Sequence, residues 1–301
     1  MSNVQSVPAV PPAESIPLGQ AISRSFAFIS VAWRNAWGAM LILVWLSAVL
    51  QMIEAMKPEW TAAPLLGLIF LLAASTVATG ALYRIGLEPD HAGDSAFALG
   101  PGGVQWGALE WRVLGANLLL GLALSVLFVV LFIIWGVGLG VSMAGHPEAL
   151  QAVTNATSNE DKLRAFGALM GGAAGVVTLV VLLPGLLAIL YLAARLALFT
   201  LNAADTRSFD FGKAWTMTRG AVLALIVVSV LIYLAQILLG GLCGAVAGFL
   251  SAFLDPGKGG MWGGIVGQAA GAAISAPLFA GLQLFIYHRR RGEGRIAATF
   301  A

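Results

Sequence analysis

Residues 206–223, TRSFDFGKAWTMTRGAVL, place four charged side chains inside an otherwise strongly apolar chain. Residues 23–41, SRSFAFISVAWRNAWGAML, repeat the same order: Arg-Ser-Phe, then Ala-Trp, then Gly-Ala, then a long apolar run. Charged side chains are costly inside a bilayer, so such stretches mark where a chain returns to the membrane surface. The two stretches therefore predict surface segments that each lead into a membrane-spanning helix.

The composition excludes a soluble protein. Of the 301 residues, 59% are hydrophobic and 10% are charged, whereas soluble domains carry roughly 25% charged residues. The mean hydropathy is +0.90. The single cysteine, Cys243, lies in an apolar run and rules out a disulfide within the chain. We interpret it as a small buried hydrophobe.

Six apolar segments are long enough to cross a bilayer, which requires roughly 20 helical residues. They lie near residues 37–56, 63–85, 113–142, 166–194, 221–253 and 261–287. The backbone must satisfy its own hydrogen bonds in lipid, and these runs do not alternate in polarity, so each is predicted to be α-helical. The expected fold is an all-α membrane protein with six transmembrane helices. These form three helical hairpins, each preceded by a cytoplasmic interfacial segment.

Basic residues gather on one side of this predicted topology, which predicts its orientation. That side holds 12 of the 16 Lys and Arg residues: Arg24, Arg34, Arg84, Arg112, Arg195, Arg207, Lys213, Arg219, Arg289, Arg290, Arg291 and Arg295. The other side holds Lys57, Lys162, Arg164 and Lys258. The positive-inside rule then predicts that both termini are cytoplasmic.

The order of features also suggests an internal repeat, with units at about 17–90, 95–200 and 205–292. Each unit has a basic-aromatic segment, two spans and an exit arginine. The middle copy, which begins SAFALGPGGVQWGALEWR, is looser, and chance similarity between membrane segments is the rival explanation. The expected domains are a disordered Pro-rich tail at 1–16, a single six-span membrane domain at 17–292 and a short C-terminal tail at 293–301.

The segment before the first span has the pattern of an amphipathic helix. Apolar residues fall on one face at helical spacing: Leu18, Ile22, Phe26, Ile29 and Trp33. Ser23, Arg24, Ser30 and Arg34 lie largely on the other face, which predicts a helix in the cytoplasmic interface. The lipid-interface candidates in this and similar segments are Arg24, Trp33, Arg34, Arg112, Arg207, Lys213, Trp215 and Arg219. Simple anchoring of the helix is the alternative to specific lipid binding.

Glycines repeat every four positions in several spans and predict close helix contacts. The candidates are Gly136, Gly140, Gly167, Gly171, Gly175, Gly240, Gly244, Gly248, Gly263, Gly267 and Gly271. They predict that the third span packs on the fourth, and the fifth on the sixth. The general glycine richness of the chain, with 37 glycines, is the competing explanation.

The span interiors carry few polar groups. Asn117, Gln236 and Gln268 either bond between helices or line a cavity. Glu110 and Arg112, at the edge of the third span, are expected to pair with each other. The three histidines are far apart in sequence, and no nucleotide-binding, zinc-protease or serine-hydrolase motif occurs. No catalytic residue, metal site or cofactor is therefore expected.

The stretch RLALFTLNAADTRSFDFGKAWTMTRGAVLALI, residues 195–226, carries a resemblance. It resembles a family of bacterial multi-span membrane proteins that includes the membrane domain sometimes fused to glycerophosphodiester phosphodiesterases, together with stand-alone relatives. The shared features are an arginine that ends one span and the Phe, Ala and Trp positions that lead into the next. The resemblance implies a multi-span protein of the bacterial inner membrane. It implies no phosphodiesterase activity, because the catalytic domain of that enzyme is absent here.

Two functions remain open from the sequence. The first is a non-catalytic protein that organises lipid or a partner membrane complex. Its expected partners are anionic membrane lipids, a membrane protein or a second copy of the chain, and not nucleic acid. The second is a transporter or channel for a small or lipid-like solute, which would use the three interior polar residues. Repeats of this kind are common in transporters, although inverted repeats are the usual form.

Overall fold

The computed structural model describes residues 16–56, 63–144, 172–255 and 258–291, and a few single residues between 151 and 164. Nine α-helices lie in the long ranges, together with two short 3₁₀ helices, Glu88–Asp90 and Pro101–Gly103. The α-helices are α1 (Leu18–Asn35), α2 (Trp37–Met56), α3 (Ala63–Leu87), α4 (Ala108–Ala144), α5 (Ala173–Arg195), α6 (Phe199–Thr206), α7 (Phe211–Met217), α8 (Val222–Leu254) and α9 (Gly259–Arg291). No strand occurs in these ranges. The predicted all-α class is confirmed.

Six of these helices, α2, α3, α4, α5, α8 and α9, are long and apolar enough to span a membrane. The first predicted span coincides with α2, and the fifth and sixth fall on α8 and α9. α4 begins at Ala108, ahead of the predicted 113, because Ala108–Arg112 already belong to the helix. The beginning of the fourth predicted span, at 166–171, lies outside the described residues.

The chain forms two compact units. One contains Met1–Asn117 and Arg195–Ala301, and the other contains Leu118–Ala194. The first unit includes α1, α2, α3, α6, α7, α8, α9 and the first turns of α4. The second unit includes the rest of α4 and nearly all of α5.

Helix α9 is the centre of the first unit. It packs against α8, α1, α2 and α3, and half of its most apolar 18-residue window is buried. Its sequence explains this position, because glycine, alanine and serine dominate residues 259–276 and let neighbouring helices come close. From Leu278 to His288 the helix carries larger side chains, and most of these are buried.

The contact between α8 and α9 is made by backbone. A Cβ atom added at Gly244 would lie 2.5 Å from the carbonyl oxygen of Gly263, and one at Gly240 would lie 2.8 Å from that of Gly267. Gly248 faces the carbonyl of Gly259 in the same way, at 3.0 Å. A side chain at these positions would force the helices apart. Gly271 instead faces the side chain of Gln236, whose Cγ would lie 3.1 Å from an added Cβ.

The second unit contains a contact between α4 and α5 that uses other glycines than the sequence suggests. A Cβ added at Gly138 would lie 2.8 Å from Val177, and Gly185 faces Leu131. Trp135 Nε1 donates a hydrogen bond of 3.0 Å to Thr178 Oγ1 beside them. Among the described residues, no atom lies within 4 Å of a Cβ added at Gly136 or Gly140. Of the α4 glycines, it is thus Gly138 that faces the described part of α5, and the contact predicted for Gly136 and Gly140 stays a prediction.

Two further glycine candidates of the fourth span, Gly167 and Gly171, lie outside the described residues, and Gly175 lies in the first turn of α5. Cys243 lies on α8 and is exposed, so the prediction that it is buried is wrong. The reason is that Gly240 and Gly244, on the adjoining stripe of α8, occupy the contact with α9.

Gly244→Ala tests the α8–α9 contact. Its methyl group would overlap the Gly263 carbonyl, and we expect the free energy of unfolding to fall by about 1–3 kcal/mol, as for other overpacked positions. The measurement is denaturant unfolding of the purified protein followed by tryptophan fluorescence. Gly241→Ala is the matched control, because nothing lies within 4 Å of a Cβ at that position on the same helix. An equal loss in both variants would contradict the contact.

Candidate functional site

Polar side chains of the first unit converge where its helices carry their basic residues. We call this the basic end, defined by Arg84 of α3, Arg112 of α4, Arg219 before α8 and Arg290 of α9. The loop 88–107, between α3 and α4, crosses it. Two arrangements of charged groups are built here, one around Glu110 and one around Asp205.

A buried ion pair joins α3 to the start of α4. Arg84 and Glu110 are 3% and 0% exposed, and they pair through both guanidinium and both carboxylate termini, with Nη2 to Oε2 at 2.9 Å. Arg84 Nε also donates to the carbonyl of Ala96 at 3.1 Å, and the Gly107 N–H donates to Glu110 Oε2 at 2.8 Å. The expected pairing of Glu110 with Arg112 is wrong. Glu110 points toward α3, and Arg112 is the second residue after it on α4. Residues two apart on a helix do not face each other.

Asp205, near the end of α6, accepts hydrogen bonds from three side chains, one in loop 88–107 and two on α9. Its Oδ1 accepts from His91 Nε2 at 2.7 Å, and its Oδ2 accepts from the Tyr287 hydroxyl at 2.5 Å and from Arg291 Nη1 at 2.9 Å. The His91 ring stacks on Phe97 with centroids 3.9 Å apart. Both carboxylate oxygens are thus occupied, and loop 88–107, α6 and α9 meet at one group.

A second set of hydrogen bonds joins α9 to α3 and to the turn before α6. The Tyr83 hydroxyl donates to Gln283 Oε1 at 2.7 Å, and Gln283 Nε2 donates to the carbonyl of Ala197 at 2.8 Å. His288 Nε2 donates to the carbonyl of Gly86 at 3.0 Å. Its Nδ1 lies 3.5 Å from Asp90 Oδ2. The last turns of α9 are therefore hydrogen-bonded to α3 and to the turn before α6.

The exposed part of loop 88–107 is tied to the turn after α6. Asp94 pairs with Arg207, whose left-handed backbone (φ 60°) ends α6. The backbone N–H of Ala96 donates to Asp94 Oδ1 at 2.9 Å, and together with the Arg207 guanidinium it holds the pKa of Asp94 below its ordinary value.

The predicted surface segment at 206–223 contains the short helix α7, between the end of α6 and the start of α8. Asp210 caps its start and accepts from the backbone N–H of Lys213 at 3.0 Å. Arg195 lies over the Trp215 ring, 4.5 Å from its centroid, and donates to the Trp215 carbonyl at 3.2 Å. The side chains of Lys213 and Arg219 are exposed. Of the interface candidates, Arg207 and Trp215 thus have partners within the protein.

Helix α1 packs on the rest of the first unit through a stripe of residues that adjoins its predicted apolar face. Its buried residues are Ala21, Ser25, Phe28, Val31 and Ala32. Phe28 packs against Gly281 of α9, and Trp33 Nε1 donates to the carbonyl of Ala273 at 3.1 Å. Leu18 and Phe26 of the predicted face are 40% and 45% exposed. Arg34 is exposed, and Arg24 is half-buried.

The three cavity candidates do not meet. Asn117 Oδ1 accepts from Thr200 Oγ1 at 2.9 Å at the basic end. Gln236 packs on Gly271 in the α8–α9 contact, and Gln268 is exposed on α9. The structure brings together instead a set that sequence reasoning missed: Arg84, His91, Glu110, Asp205 and Tyr287. The one local signal for them is that charged or polar residues sit at the ends of apolar runs, in LYRIGLEPDH, LNAADT and YHRRR.

Comparisons with models of protein families, with curated proteins and with solved structures find no match to this chain. The resemblance to the membrane domain found beside glycerophosphodiester phosphodiesterases therefore stays a prediction. The class of protein that the fold defines is a multi-pass α-helical membrane protein.

Removing one partner of the Arg84–Glu110 pair leaves an unpaired buried charge. We expect Arg84→Met or Glu110→Leu to lower the free energy of unfolding by about 3–5 kcal/mol, and the double variant to recover much of that loss. Denaturant unfolding of the four proteins forms a double-mutant cycle. Lys258→Gln is the control, because it breaks an exposed ion pair with Asp255 and should leave unfolding nearly unchanged. Additive losses in the cycle would refute the coupling.

Acid should weaken the Asp94–Arg207 ion pair, which holds the exposed part of loop 88–107. The pKa of Asp94 is depressed in the folded state, so its contribution is present above the unfolded value of about 3.9 and is lost as the pH falls through the lower folded value. A nitroxide at position 92, in a variant that lacks Cys243, should stay immobile near neutral pH and become mobile only below about pH 4. With Asp94→Asn the label should be mobile throughout. A transition near neutral pH would point to another group.

Proposed function

We propose that this chain is a non-catalytic protein of the bacterial cytoplasmic membrane that organises anionic lipid, with its basic end facing the cytoplasm. The observation that carries the proposal is the surface of α1. One stripe of this helix packs on α9, while Leu18, Phe26 and Arg34 remain exposed. Apolar and cationic side chains on one helix suit the boundary between acyl chains and headgroups.

Other exposed residues at the basic end extend this surface. Lys213 and Arg219 are exposed near α7, and the indole groups of Trp37 and Trp111 are 55% and 61% exposed. Tryptophan and arginine favour the headgroup level of a bilayer. Cations close to an anionic leaflet each contribute roughly 1 kcal/mol of attraction. Together these side chains suit binding of anionic headgroups.

The buried charges support a structural role rather than a catalytic one. Arg84 and Glu110 engage each other through both termini, and both oxygens of Asp205 are engaged by side chains of the protein. A general base needs a lone pair that can reach a substrate proton. In this arrangement the groups hold the helices and loop 88–107 together, which keeps the lipid-binding surface in a constant shape.

A transporter or channel is the alternative, and one observation favours it. Asn202 of α6 is fully buried, and neither polar atom of its side chain has a hydrogen-bond partner among the described residues. Buried amides of this kind are often satisfied by internal water. Asn202 lies two residues from Thr200, which bonds to Asn117. A hydrated region at this place could belong to a solute path.

Removing the exposed charges tests the lipid proposal. We expect the triple variant Arg34→Gln, Lys213→Gln, Arg219→Gln to lose most of its preference for phosphatidylglycerol over phosphatidylcholine, with roughly fivefold weaker preference per charge removed. The measurement is the electron-spin-resonance selectivity of spin-labelled lipids for the protein in vesicles. Lys258→Gln, at the opposite ends of α8 and α9, is the matched control. An unchanged preference in the triple variant would contradict the proposal.

A further inference from the structure

Helices α3 and α9 diverge away from the basic end. At the basic end they are joined by the Tyr83–Gln283 hydrogen bond and by the close approach of Gly86 to the side chain of Leu284. Farther along, around residues 68–75 of α3 and 272–276 of α9, a pocket of about 330 Å³ opens between them. α2 lies against both helices and forms the third wall.

The lining of this pocket is hydrocarbon with two serines. α2 contributes Leu43, α3 contributes Leu68, Leu71, Leu72 and Ser75, and α9 contributes Ala272, Ser275 and Ala276. The Ser75 hydroxyl donates to the carbonyl of Leu72 at 2.9 Å, so its one hydrogen-bond donor is already used within α3. A bound water would need two to four polar partners. This lining therefore selects an apolar occupant.

The pocket is continuous with the surface that faces the membrane. Leu68 lines the pocket and is itself 59% exposed, and Leu65, one turn before it, is exposed as well. Both belong to a helix that is long and apolar enough to span the bilayer. Molecules in the hydrocarbon region thus reach the pocket directly. On α9, the Trp33 side chain binds the carbonyl of Ala273, next to the pocket wall.

The size of the pocket decides between apolar occupants. An α-helix with its side chains is roughly 10 Å across, which is too wide for a cleft of about 330 Å³. Pockets for small molecules begin at roughly 300 Å³. A single flexible hydrocarbon chain is narrow enough to enter between α3 and α9, and it would restore the dispersion contacts that an empty cleft lacks.

We propose that the cleft between α2, α3 and α9 binds one acyl chain of a membrane phospholipid. This inference rests on the proposed lipid function and names the part of the lipid that this site takes. A chain seated there occupies the gap between α3 and α9, so a lipid becomes part of the wall of the first unit. The headgroup surface at the basic end is a separate site.

The test uses the full chain in phosphatidylcholine vesicles that contain a trace of phosphatidylcholine with a photoactivatable diazirine on one acyl chain. After illumination, peptide mass spectrometry locates the labelled residues. We expect labelling of residues 68–75 and 272–276 to exceed that of the equally apolar, exposed surface of α8. In the double variant Ala272→Leu, Ala276→Leu, the larger side chains fill the cleft. Each displaced methylene weakens binding roughly fourfold, so displacing two of them should lower labelling there about sixteenfold.

Ala245→Leu is the matched control, because Ala245 is exposed on α8 away from the cleft, and it should leave the labelling unchanged. If the double variant does not fold, Ser275→Leu fills the cleft from a third position. Equal labelling of every membrane-facing helix, or labelling that these substitutions leave unchanged, would overturn the proposal. Because these vesicles are zwitterionic, the result does not depend on whether the basic end prefers anionic headgroups.

Discussion

Close backbone contact between α8 and α9 is the constraint on which the rest of the first unit depends. In lipid, helices gain little from burying apolar surface, so they associate through close packing and hydrogen bonds. The carbonyls of Gly263 and Gly267 leave no room for a side chain on α8. This contact holds α9 in place, and α1, α2 and α3 then pack on its remaining faces. The last turns of α9 carry Tyr287 and Arg291 to the basic end.

The basic end also accommodates charged groups in the interior of an apolar protein. The buried carboxylates Glu110 and Asp205 both have arginine partners: Glu110 pairs with Arg84, and Asp205 pairs with Arg291 and also accepts a hydrogen bond from His91. The partners come from different helices and from loop 88–107, so the pairing also joins those elements. The charges that remain exposed, such as Arg34 and Lys213, are available to meet headgroups. Internal pairing and the proposed lipid binding thus use different residues.

The sequence predicts the spans well and the polar network poorly. A span depends on local hydropathy, so α2, α8 and α9 follow directly from apolar runs. The Asp205 group depends on residues 91, 205, 287 and 291, whose proximity comes from helix packing that hydropathy does not encode. The same limit applies to Glu110, for which the sequence suggests its neighbour Arg112 and the fold supplies Arg84 instead. On α1, periodicity locates the apolar face, but small residues on the adjoining stripe determine which side packs on α9.

The most direct test of a lipid-organising, non-transporting protein is an experimental structure in lipid nanodiscs, with a bound antibody fragment to aid image alignment. The account predicts a basic end without a water-filled opening. It also predicts an acyl chain between α3 and α9 and ordered headgroups beside Arg34 and Lys213. A continuous water-filled path through the first unit, lined by Asn117, Gln236 or Gln268, would contradict it. In that case the protein would be a transporter or channel, and the basic end would be one of its gates.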